Sequence, residues 1–306
     1  MASMVILGVG TGYVFITKAW VDHQARSQAQ QSLRVAVGAI SREMRITGAC
    51  MGITWVDQNA PLATNYRMLT ATSGPPDTVA STANPRCAGP VALTAACNAC
   101  SVISVNNTLN FTAGMWAFIG KGPNGTSGEY FKVQSITATT ITVATTPALT
   151  QNYPYPPSGQ DPPAFVAGAD LRTFAVSSTC AECGGIPSLT LQQFGDAAGH
   201  ALVKGIDAMT VRYVLNRRYA TAPAQCNTQT GGTNSLCVVN LPETAPSIAG
   251  DWKLVRALIF TLSARSTIGV RASGSPDGHY HLSETVEISP RNFIFSPNAR
   301  ITWTPY

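Results

Sequence analysis

The first seventeen residues, Met1 to Thr17, carry no charged side chain. Such a helix rises about 26 Å, slightly less than the ~30 Å of a hydrocarbon core. Lys18 is the first charge, followed by Asp22, His23 and Arg26. Beyond Lys18 the pattern changes. Leu33, Val37, Ile40 and Met44 recur at steps of four, three and four, which places them on one helical face. Gln24, Gln28, Gln31, Arg34, Ser41 and Arg42 lie largely off that stripe. No proline interrupts the run, and Gly48 follows Arg42 and Arg45 as a C-terminal cap. The pattern predicts one helix to about Thr47. Its first part, residues 1–24, suits lipid or other apolar helices. Its second part, residues 25–50, suits packing on a folded domain through the Leu33–Met44 stripe. Val5, Ile6, Leu7, Val9, Tyr13, Val14, Phe15 and Ile16 are the apolar positions of the first part. Gly8 and Gly12 have the small-xxx-small spacing that lets helices approach closely.

After Gly48 the period shortens to two. Residues 57–103, rich in Pro, Thr, Ala, Asn and Cys, read as an extended connection tied by disulfides. Strands follow at Thr108–Thr112, Met115–Gly120, Glu129–Thr137 and Thr140–Ala144, the first pair joined by a turn at Ala113-Gly114. Lys121–Gly128 is turn chemistry throughout, and Thr146–Asp170 holds a Pro-rich loop. A second block comprises Leu171–Ser177, Pro187–Phe194 and Met209–Leu215. Thr221–Gly250 is a long polar excursion. A last block comprises Lys253–Ser266, Tyr280–Ile288 and Phe293–Trp303, with a turn at Ser275-Pro276-Asp277-Gly278. A helix followed by antiparallel strands is an α+β arrangement. Residues 51–306 form its β-rich part.

Composition narrows the setting. Charged residues make up 11% of the chain, against a usual ~25%. Thr, Ser, Ala, Asn and Gln fill the deficit, as suits an exported, assembled protein. The net charge of +5 is dispersed, with no basic run or patch, which argues against nucleic-acid binding. Eight cysteines are present: Cys50, Cys87, Cys97, Cys100, Cys180, Cys183, Cys226 and Cys237. An even count in an exported chain favours disulfides. Local pairing gives Cys50–Cys87, Cys97–Cys100, Cys180–Cys183 and Cys226–Cys237. The rival places both CxxC units in one four-cysteine zinc site, with a membrane-anchored zinc or redox protein as its consequence. Ser101 and Gly184 stand where haem attachment needs His.

Little else suggests chemistry. His279 and His281 alternate on one strand and share a face, without an evident third ligand. No Gly-x-Ser-x-Gly elbow occurs. Asn106, Asn110 and Asn124 each begin an Asn-x-Thr triplet, a signal frequent by chance. No catalytic residue, metal or cofactor is assigned.

Four stretches together resemble the PilW family of type IV pilus minor pilins, a type IV pilin-like group related to the J-type minor pseudopilins of type II secretion. They are Gln30–Cys50, ending in Arg45-Ile-Thr-Gly48; Pro187-Ser-Leu-Thr-Leu191 with Leu202–Tyr213; Val255–Arg265; and Glu284–Asn292. The order and spacing of the four carry the resemblance. It implies a non-enzymatic, structural protein with a long N-terminal helix packed on an antiparallel sheet domain and long disulfide-tied loops. The helix would sit in the inner membrane, the bulk outside the cytoplasm, and then join the pilus core. The implied partners are other minor pilins, the major pilin and a PilY-type tip adhesin. Members of the family open with a basic leader, a Gly-Phe cleavage site and a Thr-Leu-x-Glu element. Met1-Ala-Ser-Met-Val-Ile-Leu matches a point about ten residues inside the mature helix, so the resemblance implies a processing end upstream.

Overall fold

The computed structural model describes residues 2–50, 69–72, 77–120, 128–155, 164–215, 226–228, 237–240, 255–270 and 276–289. For 2–9, 70–72, 213, 215, 226–228, 237–240 and 255–256 it describes the backbone alone. The expected helix is present as α1, Ala2–Ile46. Its buried stripe is longer than the large side chains announced. Ala25, Ala29, Leu33, Ala36, Ile40, Met44 and Thr47 are all essentially inaccessible, and Val37 packs against the same core. Steps of four and three keep these residues on one face.

That face rests on two antiparallel sheets. One is ordered β1 (Leu69–Thr72), β2 (Thr78–Ala83), β11 (Asp170–Ser177), β12 (Ser188–Gln193), β13 (His200–Lys204). The other is ordered β15 (Cys226–Thr228), β16 (Cys237–Asn240), β14 (Ile206–Leu215), β17 (Val255–Arg265), β18 (His281–Ile288). Val79, Phe174 and Leu189 from the first sheet meet Met209, Val211, Phe260 and Leu262 from the second beneath Leu33, Ile40 and Met44. Gly205 joins the sheets. Its N–H donates to Pro187 O at 2.8 Å and its carbonyl accepts from Arg265 N at 2.7 Å. Its φ is +83°, and a Cβ would lie 2.7 Å from Arg265 O, so only glycine fits. The architecture is the expected α+β one, a long helix on antiparallel sheet.

A second core lies elsewhere. β2 ends at Ala83, β11 begins at Asp170, and the two pair directly, Ala83 opposite Asp170. Residues 84–169 are therefore an excursion between neighbouring strands of one sheet. They build a six-stranded sheet in the order β3 (Val91–Ala92), β10 (Phe165–Gly168), β6 (Trp116–Gly120), β7 (Gly128–Ile136), β8 (Thr140–Val143), β5 (Val102–Ser104). Just past β3, Leu93 bridges Val105. Thr94 N donates to Ser104 O and Asn106 N to Ala92 O. The sheet thus closes into a small barrel, which removes its free edges. Leu93, Ile103, Val105, Ile119, Phe131, Val133, Ile141 and Val166 fill it. β4 (Cys97–Asn98) pairs with β9 (Asn152–Tyr153) as a ribbon beside it.

The barrel corrects three sequence expectations. Thr108–Thr112 is not a strand. Asn107 accepts a hydrogen bond from Leu109 N through its side chain, and Asn110 has φ +66°, so turn chemistry prevails over alternation. Residues 57–103 are not a plain connection, since 69–104 contain five strands made largely of small and hydroxyl side chains. The Pro-rich stretch 146–170 contains β9 and β10. β13, His200–Lys204, is a further strand that the sequence pattern does not predict. The other expected strands form within a residue or a few of their expected ends. Phe293–Trp303 and the loop 121–127 lie outside the described residues.

Candidate assembly surface

The domain grips α1 at both ends of the buried stripe. At the upstream end Arg26 Nε donates to Tyr280 Oη at 2.9 Å, its guanidinium 5.3 Å from the ring centre. Gln28 donates to Thr267 Oγ1 at 2.6 Å and accepts from Thr267 N at 3.2 Å. At the downstream end Arg172 bridges Glu43 at 2.8 Å and Asp170 at 2.7 Å. Burial opposes the Arg172 charge, but the two carboxylates outweigh it and raise its pKa above the ordinary value.

Upstream of Ala25 the helix leaves the domain. Residues 10–20 are exposed at every position. Tyr13 is 72%, Val14 60%, Phe15 74%, Ile16 68% and Trp20 62% exposed. Four consecutive apolar residues cover all sides of a helical turn. A helix that is apolar all round belongs in an apolar surround, not in water. Thr17 Oγ1 donates to Tyr13 O at 2.8 Å, so this hydroxyl is satisfied within the helix. A Cβ at Gly10 or Gly12 would meet nothing within 4 Å, which leaves a neighbouring helix room to approach. The side chains of Val5, Ile6, Leu7, Gly8 and Val9 lie outside the described residues. No helix among the described residues is long and apolar enough to cross a membrane.

Leu33, Val37, Ile40 and Met44 meet in one core, and the same helix face carries Ala25, Ala29 and Ala36, which the spacing of the large side chains leaves unmarked. Alanine is abundant here, so only its spacing from Leu33 could have revealed them. Among the described residues three disulfides are present: Cys50–Cys87, Cys97–Cys100 and Cys180–Cys183. Each CxxC unit closes on itself, one beside the barrel and the other before β12. The four sulfurs do not converge, so the shared zinc site of the rival reading is not formed. The side chains of Cys226 and Cys237 lie outside the described residues; their strands pair with Cys226 opposite Val239 and Cys237 opposite Thr228.

The histidines do not gather. His281 Nε2 lies 2.9 Å from Asp277 Oδ2 and its Nδ1 3.0 Å from Asp207 Oδ2. These carboxylates were missed, Asp207 because it is distant in sequence. His279 Nδ1 is buried without a partner. No group of three or more His, Cys, Asp or Glu among the described residues is arranged to hold a metal ion. His200 pairs with Glu182 at 2.9 Å on the surface. The hydrogen bond to Glu182 raises the His200 pKa and lowers that of Glu182.

The barrel is fixed to the sheets by aromatic contact. Phe194, just past β12, meets Trp116 edge-on at 4.9 Å and Tyr130 at 4.7 Å. Phe118 and Phe165 complete the cluster behind Tyr130. Gly195 has φ +91°, and a Cβ there would lie 2.3 Å from the Trp116 ring.

No protein-family profile matches the chain. No curated protein matches it either. A solved structure, a type IV-like pilin from Thermus thermophilus, is similar at a TM-score of 0.33 and 13% identity, covering 86% of this chain and 96% of that one.

Proposed function

We propose that this chain is a structural subunit of a type IV pilus, a minor pilin whose N-terminal helix joins the helical core of the filament. The observation that carries the reading is the turn Tyr13–Ile16, apolar on every side and exposed, continuous with a helix half that the domain grips from Arg26 to Glu43. Before assembly the inner membrane supplies the apolar surround. In the filament the helices of other minor pilins and of the major pilin replace it, at small net cost because both surrounds are apolar. The sheets and the barrel then face outward. On this reading the chain primes assembly within a minor-pilin complex and helps carry a PilY-type adhesin at the tip, and its role is not catalytic. The disulfides fit an oxidising, extracytoplasmic setting.

The alternative within the same architecture is a minor pseudopilin at the tip of a type II secretion pseudopilus. Deletion of the gene separates the two. Loss of surface pili with continued secretion of folded exoproteins supports the pilus. Intact pili with lost secretion moves the chain to the pseudopilus.

A further inference from the structure

The junction between α1 and the barrel is held by backbone hydrogen bonds, one asparagine side chain and a disulfide. Gly48 N donates to Thr82 O at 2.8 Å, and Asn84 N to Ala49 O at 2.8 Å. Asn84 Nδ2 reaches Cys50 O at 3.3 Å and Ala88 O at 2.9 Å, while its Oδ1 accepts from Ala88 N at 3.0 Å. The Asn84 side chain thus ties the helix end to the start of the barrel. Across the same point Cys50 is bonded to Cys87, with Cα atoms 4.9 Å apart. Between these cysteines the chain runs through β1 and β2, and β1 is an edge strand of its sheet.

We infer that the Cys50–Cys87 disulfide is a mechanical shunt. It carries tension between the filament helix and the barrel directly, and keeps that tension off β1, β2 and the sheet they belong to. Without it, a pull on the barrel reaches α1 through the intervening segment. Resistance at the junction then falls to a few hydrogen bonds, after which an edge hairpin peels from β11 strand by strand. With it, the same pull passes from Met44 and Thr47 through Cys50 to Cys87 and the closed barrel. The sheet that holds α1 in place stays folded under load. The presence of load rests on the filament reading above; the covalent path does not.

Single-molecule stretching of the purified full chain tests the inference, with one handle at the N-terminus and a bio-orthogonal handle at position 109. Leu109 is 73% exposed on a barrel loop, so a handle there disturbs little. The two cysteines are 37 residues apart, and extended chain spans ~3.3–3.6 Å per residue. Cys50→Ser with Cys87→Ser should therefore add an early step of about 120 Å, before the barrel opens, that wild type lacks. A variant without that step, or a wild type that shows it, overturns the proposal. Should the double variant fail to fold, a specific protease site inserted within residues 51–68 of the wild type gives a second test. The nicked, oxidised molecule should stay tethered under load and part on adding dithiothreitol. Parting before reduction refutes the shunt. Neither readout depends on pilus incorporation, which gene deletion tests separately.

Discussion

Two cores in one chain predict that each of two substitutions acts on its own module. Ile40 of α1 and Phe131 of β7 are both fully buried, the first in the helix-on-sheets core and the second inside the barrel. Ile40→Ala removes three carbons. At ~0.8 kcal/mol for each, plus a cavity term, the loss is about 3 kcal/mol. Phe131→Ala should cost about 3–5 kcal/mol. The modules touch through the aromatic cluster, whose pairs are worth ~0.5–1.5 kcal/mol each, so only a minor share of either loss should cross over. Native-state hydrogen exchange reads both modules at once. Ile40→Ala should speed exchange on the order of a hundredfold at Phe260 and Leu262, and several-fold or less at Phe131 and Val133. Phe131→Ala should do the reverse. Equal loss of protection in both modules from either substitution would refute the two-core account.

Other expectations follow from single contacts. Gly195→Ala should cost about 1–3 kcal/mol, because a left-handed residue would drive its Cβ into the Trp116 ring; an unchanged melting temperature and Trp emission would count against the packing described. Glu129 accepts hydrogen bonds from Thr150 Oγ1 and N, Gln151 N and Tyr153 Oη. Partial burial raises its pKa, but these donors outweigh it and hold it below 4.5. Its contribution is therefore full above about pH 4.5 and lost as pH falls through the lower folded value. Barrel stability should decline on acidification through that window, and Glu129→Gln should flatten the decline; an identical pH profile in the variant would exclude it. The His200 pKa is raised and the Glu182 pKa lowered by their contact, so the pair's contribution is full between about pH 4.5 and 6.5 and is lost as pH rises through the higher folded value of His200 or falls through the lower folded value of Glu182. An NMR titration should place His200 above its ordinary value in wild type and return it toward that value in Glu182→Gln; no change between the two would show that the pair does not form in solution.

The helix was legible because Leu33, Ile40 and Met44 are large and correctly spaced, and because an uncharged run is visible without any partner. The long strands β14, β17 and β18 were legible for the same reason: their alternation is local. The barrel was not. Its strands β3, β5 and β10 are short, and β10 pairs with β6 across a Pro-rich stretch that by itself signals loop. Closure depends on one contact, Leu93 with Val105, that no local pattern encodes. The local disulfides were readable, since a CxxC unit can close on itself. The role of Cys50–Cys87 was not, because it depends on where the barrel is inserted. Asp207 reaches His281 only through the pairing of β17 with β18 and β14, whereas Asp277 lies four residues before it in the preceding turn.

The central claim is that the apolar turn Tyr13–Ile16 is enclosed by the helices of neighbouring subunits in the assembled filament. A photo-cross-linking residue at position 15, activated in isolated surface pili, tests it most directly. The account predicts adducts to the N-terminal helices of other pilin subunits, whereas the same probe at Leu109 on the barrel yields none to those helices. Pili that lack the protein, or position-15 adducts confined to lipid, would contradict it.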